Sequence, residues 1–469
     1  MDPTPPRANF PLAAKIVFGL ALASLIIYVA AYGYPIAYAD HWDTLEFVIN
    51  REAGRYDIGR MFGLHDAHWH ASGYAVNFAL TDLFGFNARN DAFANVALGA
   101  LTALIAMPMA ANTASTPFRS ALAASVAAAF ILSLDQASNW LWAFQTALFM
   151  STFGAVAFAA LATGQKFGWL HLLGMMAAAA AGIYGFATAF VLLPLGMIIL
   201  AFRIWRAAHI QAARPAHLAA WTVFCGAIAA HYVMSVAHRA GETNVVTDGM
   251  AGIGLFEGIG TLVMFVLVFV GANISGGTDT AALIALIISL PCFVLAYRRT
   301  VAAGERIEDL LPILTLMAIG IGMAGLIGIG RMEHSYSQGA VSRYLSFSQF
   351  FWLGAALWFI RVMPAPGTVW RSPNRLAIAA MVCLSILGVA KIENTVRIAG
   401  KGAEVHAALA GAAEQMRADY PLLREATMEA AGRAQNMKRA QRHIDYLAMK
   451  GWPPFDRPVS DLGDDGRAE

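Results

Sequence analysis

Long runs of apolar residues divide most of the chain into segments that approach or reach membrane-spanning length. A helix needs about 20 consecutive apolar residues to cross the hydrocarbon core of a bilayer. The runs lie near 16–37, 91–112, 119–134, 141–162, 169–184, 187–203, 217–236, 253–273, 279–297, 310–330, 345–361 and 376–391. This pattern predicts an all-α polytopic membrane protein with about 11–12 transmembrane helices.

Two stretches depart from the apolar pattern. Segment 71–86 places polar residues among apolar ones, which predicts an amphipathic helix lying on the membrane surface. From about residue 401 the chain becomes rich in charge, with apolar residues at helical spacing. We therefore predict a membrane-embedded domain over 1–400, including a first extracytoplasmic loop at 38–90, and a small soluble helical tail over 401–469.

Composition excludes several classes of protein. Hydrophobic residues make up 58% of the chain and charged residues 13%, against about 25% charged in ordinary soluble domains. This balance excludes a soluble enzyme or a nucleic-acid-binding domain, and a net charge of +2 indicates no polyanionic partner. The three cysteines lie in apolar runs without metal-ligand spacing, so they are interpreted as small buried side chains.

Arginine positions indicate which connections share a side of the membrane, because positive residues are enriched in cytoplasmic loops. With a cytoplasmic N-terminus, segment 39–90 is extracytoplasmic and the arginine-rich connection 203–216 lies inside. The basic connections near 298–306 and 361–375 fall inside only if run 253–273 does not cross. We expect 253–273 to be a re-entrant or interfacial helix and the C-terminus to lie outside. If the run does cross, the later arginine-rich loops lie outside.

Acidic and imidazole side chains gather directly after the first run. They are Asp40, Asp43, Glu46, His65, Asp66, His68 and His70. Carboxylates and imidazoles at a membrane surface suit general acid/base chemistry, phosphate contacts or metal binding. Asp66, His68 and His70 alternate, so an extended backbone places them on one side as a candidate divalent-metal site. The alternatives are hydrogen-bonding histidines and a merely solvated loop.

The order of these elements resembles that of the GT-C superfamily of polytopic glycosyltransferases, in particular an uncharacterised bacterial branch. The resemblance rests on an aspartate after the first span, a loop with His68-Trp69-His70, and a surface helix ending Leu83-Phe84-Gly85-Phe86-Asn87. It rests further on the stretch Trp140-Leu141-Trp142-Ala143-Phe144-Gln145 and on Gly330-Arg331 followed by Ser342-Arg343-Tyr344 before a span. It covers the layout of residues 1–400 and is specific around 38–90, 135–145 and 330–350.

The resemblance implies a multi-pass enzyme of the bacterial inner membrane. Such an enzyme moves a sugar from a polyprenyl-phosphate carrier to a glycan, lipid or protein acceptor on the extracytoplasmic face. It implies that Asp43, or else Asp40, is the catalytic base that accepts the proton of an acceptor hydroxyl.

The resemblance also implies roles for the other polar residues. The departing lipid phosphate needs cations or hydrogen-bond donors, and Arg331, Arg343, His68 and His70 are the candidates, since guanidinium binds phosphate as a fork. The candidate substrate contacts are Glu46, His65, Asp66, Asp135 and Gln145. No cofactor is firmly implied beyond the candidate divalent metal.

Two other functions compete with the enzyme. A transporter of lipid-linked saccharides would place charges near the membrane midplane and show two related halves, whereas polar residues here concentrate at one surface. A non-catalytic partner in envelope-polysaccharide assembly is the other alternative. Related bacterial sequences carry His-Asn-Glu-His in the loop, and this chain has His65-Asp66-Ala67-His68, without the acid in third place.

Overall fold

A computed structural model describes residues 11–34, 36–55, 58–65, 68–206, 213–239, 255–276, 278–331, 335–363, 375–421, 424–431 and 437–456. Strand pairing within these ranges is confined to one short hairpin, and the rest of the regular structure is helical. Eleven of the described helices are long and apolar enough to cross a membrane. The predicted all-α, multi-pass membrane architecture is therefore confirmed.

The elements follow one another along the chain with short connections. The helices are α1 Leu12–Tyr32, α2 His41–Glu52, α3 Ala71–Phe84, α4 Ala88–Ala111, α5 Pro117–Ile131, α6 Ala137–Leu141, α7 Thr146–Thr163, α8 Trp169–Ile183, α9 Leu192–Trp205, α10 Pro215–Arg239, α11 Leu255–Ser275, α12 Asp279–Ala302, α13 Ile307–Arg331, α14 Leu345–Val362, α15 Arg375–Asp419, α16 Glu425–Ala430 and α17 Met437–Lys450. Strands β1 Leu64–His65 and β2 His68–Trp69 form the hairpin between α2 and α3.

Side-chain caps fix where several helices begin. The side chain of Asn87 accepts a hydrogen bond from the backbone N–H of Arg89 at the start of α4, and Thr116 does the same for Arg119 in α5. These residue types satisfy backbone N–H groups that have no partner inside the helix. The starts of these two helices are therefore determined by residues next to them in the sequence.

Small residues let helices approach closely where the bundle is most compact. A Cβ built on Gly154 of α7 would lie 2.4 Å from the carbonyl oxygen of Ala178 in α8. A Cβ on Gly320 of α13 would lie 2.6 Å from the backbone nitrogen of Phe351 in α14. Membrane helices associate through such contacts because lipid supplies no hydrophobic drive between them.

The basic connections meet at one end of the bundle, here named the opposite end. Arg361 donates to the carbonyl oxygen of Thr113 at 2.6 Å, and Arg119 donates to the carbonyl oxygen of Arg361 at 3.1 Å. Arg206 pairs with Glu308 at 2.5 Å at the same end. These arginine-bearing connections therefore share one end, as their pattern predicts. The other end, which holds the β1–β2 hairpin, is named the site end.

Helix α11, which covers the run expected not to cross, is long enough to span a bilayer, but its contacts stay near the site end. Asn273 donates to the carbonyl oxygen of Leu345, at the first residue of α14, at 3.1 Å. Phe265 lies against Gly328, near the last turn of α13, and against Gly339 in the following connection. The contacts of both residues favour a helix that lies across the site end.

The last membrane helix continues beyond the bundle. Helix α15 has 45 residues and passes residue 400 without a break, so the boundary drawn there from composition falls inside one helix. At about 1.5 Å per residue it is roughly 67 Å long, more than twice the hydrocarbon thickness. Beyond it, residues 424–431 and 437–456, here named the C-terminal strap, fold back onto α2.

Candidate functional site

The β1–β2 hairpin positions the histidines predicted from the sequence. His65 pairs with His68 across the hairpin, and Leu64 pairs with Trp69. Trp69 is fully buried and lies 4.8 Å, between ring centroids, from Tyr184 at the end of α8. Burial of this ring anchors the hairpin to the bundle and leaves the histidines beside the helix ends.

One cavity at the site end collects most of the candidate residues. Its walls come from the residue before α2, the hairpin, the start of α7, and the connections after α6, α8 and α13. The lining residues are Asp40, His65, His68, His70, Trp142, Phe144, Gln145, Ala147, Leu148, Phe186, Arg331, Arg343 and Tyr344. Residues more than 200 positions apart in the sequence thus share one polar cavity with aromatic walls.

Two carboxylates and one imidazole form a group with the spacing of metal ligands. His65 Nε2 lies 4.0 Å from a carboxylate oxygen of Asp40, and His65 Nδ1 lies 3.8 Å from a carboxylate oxygen of Asp43. One ligand atom from each of the three lies within 4.8 Å of the others. Oxygen and imidazole donors fit a divalent cation such as Mn²⁺ or Zn²⁺.

This group differs from the alternating set predicted from the sequence. Asp66 lies outside the described residues. The rings of His68 and His70 are stacked with their centroids 6.4 Å apart. Tertiary structure instead brings His65 to Asp40 and Asp43, at the start of α2, which sequence spacing alone could not show.

His70 is buried at the wall of the cavity with unused hydrogen-bonding capacity. Its side chain is 4% exposed, and neither ring nitrogen has a hydrogen-bond partner among the described residues. Burial lowers the pKa of His70 well below its ordinary value, and the neighbouring His65 and His68 lower it further. The ring is therefore neutral near pH 7 and offers one donor and one acceptor to a bound molecule.

The two arginines reach the cavity from the ends of neighbouring segments. Arg331 is the last residue of α13, and Arg343 lies in the short connection before α14. Asn139, which is fully buried, donates to the carbonyl oxygen of Arg343 at 2.9 Å and to the hydroxyl of Ser346 at 2.7 Å. The buried amide fixes the backbone that carries Arg343.

The acids of α2 also face the C-terminal strap. Arg439 contacts Asp43 at 2.9 Å and Glu46 at 3.3 Å. Glu46 further contacts Arg442 and, at 2.7 Å, His443. Glu46 therefore serves as the main docking point of the strap.

These contacts lower the pKa of Glu46. Burial of this side chain raises its pKa, but hydrogen bonds from His443 and Arg442 outweigh that effect and hold the pKa at about 2, against an ordinary value of 4.5. The carboxylate is consequently ionised at all ordinary pH values and stabilises the docked strap.

The remaining predicted substrate contacts divide between cavity and core. Gln145 lines the cavity. Asp135 is 1% exposed and pairs with Lys391 of α15, whose ammonium group also donates to the side chain of Asn273 at 2.8 Å. The ion pair between Asp135 and Lys391 joins the connection after α5 to α15 at the site end.

Sequence reasoning missed Arg439 as a neighbour of the site. The signal is visible in retrospect, because Asp43 and Glu46 are three residues apart and Arg439 and Arg442 are also three apart. Residues at this spacing share a helix face, so an acidic face of α2 and a basic face of α17 are complementary. Pairing the two faces from the sequence requires knowing that the C-terminal strap folds back onto α2.

No protein-family model matches the chain. No curated protein shows significant similarity to it.

Proposed function

We propose that this protein is an integral-membrane glycosyltransferase of GT-C-like architecture, which transfers a sugar from a polyprenyl-phosphate carrier to an acceptor. The observation that carries the proposal is the convergence of Asp40, His65, Arg331 and Arg343 on one cavity at the end of a helical bundle. Carboxylates beside cationic groups are what transfer from a phosphate leaving group requires.

The chemistry divides between Asp43, which lies 3.8 Å from the cavity residue His65, and the cationic residues of the cavity. Asp43 takes the proton from an acceptor hydroxyl as its oxygen attacks the anomeric carbon. The bond between that carbon and the phosphate oxygen breaks, and its electron pair leaves with the phosphate. Arg331 and Arg343 stabilise the resulting negative charge, and neutral His70 donates a hydrogen bond to it.

A divalent cation fits this arrangement, because Asp40, Asp43 and His65 would supply two carboxylate oxygens and one imidazole nitrogen. When bound there, it would add positive charge beside the carrier phosphate. The protein residues would still position the acceptor and exclude competing water.

We further propose that the site end faces the extracytoplasmic side of a bacterial inner membrane, with the N-terminus in the cytoplasm. The support is electrostatic. The arginine-bearing connections lie at the opposite end, where the positive-inside rule places the cytoplasm. A thiol-specific, membrane-impermeant label on a Glu404→Cys variant in intact cells should react from outside, and reaction only after lysis contradicts this orientation.

The direct test uses the full-length protein in lipid vesicles with a series of polyprenyl-phosphate-linked hexoses. We expect release of free polyprenyl phosphate together with a glycosylated product when lipid, glycan and peptide acceptors are supplied. Purified protein that is correctly inserted but releases no polyprenyl phosphate from any member of the series contradicts the proposal. That outcome favours the non-catalytic role in polysaccharide assembly.

One observation favours a transporter of lipid-linked saccharides as the second candidate. A separate cavity at the opposite end is lined by Arg203, Arg306, Glu308 and Arg361 among other residues, so cavities exist at both ends of the bundle. Helix α7 runs between them, with most of its residues buried. Movement of a labelled lipid-linked saccharide across vesicles without cleavage of its phosphate bond would support transport.

A further inference from the structure

A second polar cleft lies at the site end, apart from the cavity described above. It is formed by the start of α4, the outer part of α15 and the end of the C-terminal strap. Three cationic or imidazole side chains line it, namely Arg89, His406 and Arg417. Arg89 belongs to α4, whereas His406 and Arg417 lie on different turns of α15. Only the tertiary structure brings the three side chains together.

Each of these three side chains keeps unused hydrogen-bonding capacity. Arg89 Nε, Arg417 Nε and His406 Nδ1 are buried atoms without a hydrogen-bond partner among the described residues. The two guanidinium groups are positioned by other atoms, since Arg89 donates to the carbonyl oxygen of Gly33 at 3.3 Å and Arg417 donates to that of Pro454 at 3.2 Å. Buried polar atoms are nearly always satisfied, so three such atoms around one cleft indicate a missing partner.

The electrostatics of the cleft favour an anion. The N-terminus of α4, which begins after Asn87, adds the positive end of a helix dipole. Glu414 and Asp456 also line the cleft, but both are exposed, and neither forms an ion pair with Arg89 or Arg417 among the described residues. The cleft therefore retains unpaired guanidinium charge.

The depth of the cleft matches that of lipid headgroups. Gly33 directly follows α1, and Asn87 directly precedes α4, and both helices are long and apolar enough to cross a membrane. His406 lies edge-on to Tyr32 at the end of α1, with ring centroids 6.1 Å apart. The cleft thus lies where these apolar helices end.

We propose that this cleft binds a phosphate group, either that of a phospholipid headgroup or a free phosphate, and that binding fastens the C-terminal strap to α4 and α15. Guanidinium and imidazole N–H groups are donors that recognise phosphate. The bound phosphate would add a further bridge between these elements, and ligand binding to the folded form stabilises it.

The test reports on the cleft itself and does not depend on the proposed glycosyltransferase activity. Ala410 lines the cleft, so an Ala410→Cys variant of the full chain in detergent can be labelled with a charged thiol reagent. The probes are inorganic phosphate, soluble dihexanoyl-phosphatidylglycerol, and chloride at matched ionic strength. We expect phosphate-bearing probes to slow labelling at least fivefold relative to chloride.

Further substitutions identify the groups responsible. Arg417→Gln or Arg89→Gln in the Ala410→Cys background should abolish the protection, whereas Arg89→Lys should retain part of it. The matched control is Arg424→Gln, because Arg424 is highly exposed and pairs with Asp419 outside the cleft. Protection by the lipid probe alone identifies a headgroup as the source, and protection by both probes identifies phosphate as such.

Two outcomes overturn the proposal. One is equal labelling in phosphate, phosphatidylglycerol and chloride. The other is protection that persists in both Arg89→Gln and Arg417→Gln but disappears in Arg343→Gln, which would place the phosphate in the main cavity. Neither outcome bears on sugar transfer, which is measured separately.

Discussion

A contrast exists among three acidic residues that are spaced three apart from the start of helix α2, namely Asp40, Asp43 and Glu46. At the start of the helix, Asp40 and Asp43 lie 3.8–4.0 Å from His65, beyond ordinary hydrogen-bond distance, and Asp40 lines the cavity. Toward the C-terminal strap, Glu46 is in direct contact with Arg439, Arg442 and His443. The same short acidic sequence thus supplies a loosely spaced ligand group and a tightly paired docking point.

This difference separates residues that suit chemistry from residues that suit assembly. A reacting or ligand-binding group needs free capacity for its substrate, whereas a docking group is most stabilising when every lone pair is matched. Neutral, unpartnered His70 belongs with the first kind, and buried His443, which lies parallel to Trp42, belongs with the second. Asp43 shares features of both kinds of residue, because it lies near His65 and also pairs with Arg439.

The sharpest test of the contrast is Asp43→Asn. If Asp43 is the base, transfer should fall by about 10²–10⁴-fold, while insertion and thermal stability change little because the amide is isosteric. Activity is measured as polyprenyl phosphate released in vesicles, with circular dichroism as the check on folding. Full activity in Asp43→Asn excludes Asp43 as the base, and Asp40→Asn is then the next variant to assay.

The next effect in size concerns the leaving phosphate. Arg343→Gln should lower kcat/KM for the lipid-linked donor by about 10²-fold, since one charge-stabilising donor is worth that much. Arg306→Gln is the matched control, because Arg306 is mostly exposed at the opposite end and pairs with Asp309. Equal losses in the two variants would show that the effect is general rather than local to the cavity.

On the strap side, Glu46→Gln should weaken docking by about 1–2 kcal/mol, a modest value because solvent screens the partly exposed arginines. Trypsin should then cleave after Arg439 and Arg442 more rapidly than in the unmodified protein, while sugar transfer falls less than tenfold. If Glu46→Gln loses transfer as fully as Asp43→Asn with the strap still protected, Glu46 contacts substrate instead.

The smallest effect is a pH dependence of strap docking. The pKa of Glu46 is about 2 in the folded protein and 4.5 ordinarily, so its contribution is complete above about pH 4.5 and is lost as the pH falls toward 2. Protection of the strap from an acid-active protease should decline over that window. Glu46→Gln should remove this part of the decline, and an identical profile in the variant would assign the transition to other groups.

The membrane helices and several of the cavity residues could be predicted from short stretches of the sequence. The apolar runs specify helices of membrane length whatever they pack against, and Asn87 and Thr116 mark helix starts through their own side chains. The cluster after the first run contains Asp40, His65 and His70, which do line the cavity. Chemical type and proximity in sequence were sufficient for these residues.

Other roles depended on long-range packing. Asp135 looked like a loop contact, but its partner Lys391 lies 256 residues further along the chain. The metal-like group joins His65 to the acids of α2, whereas alternation along the strand suggested a different set. The matching spacing of the acids and arginines did not identify Arg439 as a neighbour of Asp43 without the path of the chain between them.

The sequence by itself determined that this is a helical protein of the membrane and that its scarce acids and histidines gather after the first span. Those properties follow from residue type and short-range periodicity, because transfer to lipid and helix geometry act on each segment separately. Only the tertiary structure decided which acids face a cavity and which hold the C-terminal strap. The distinction depends on where the distant C-terminal strap packs, and short-range periodicity does not indicate that position.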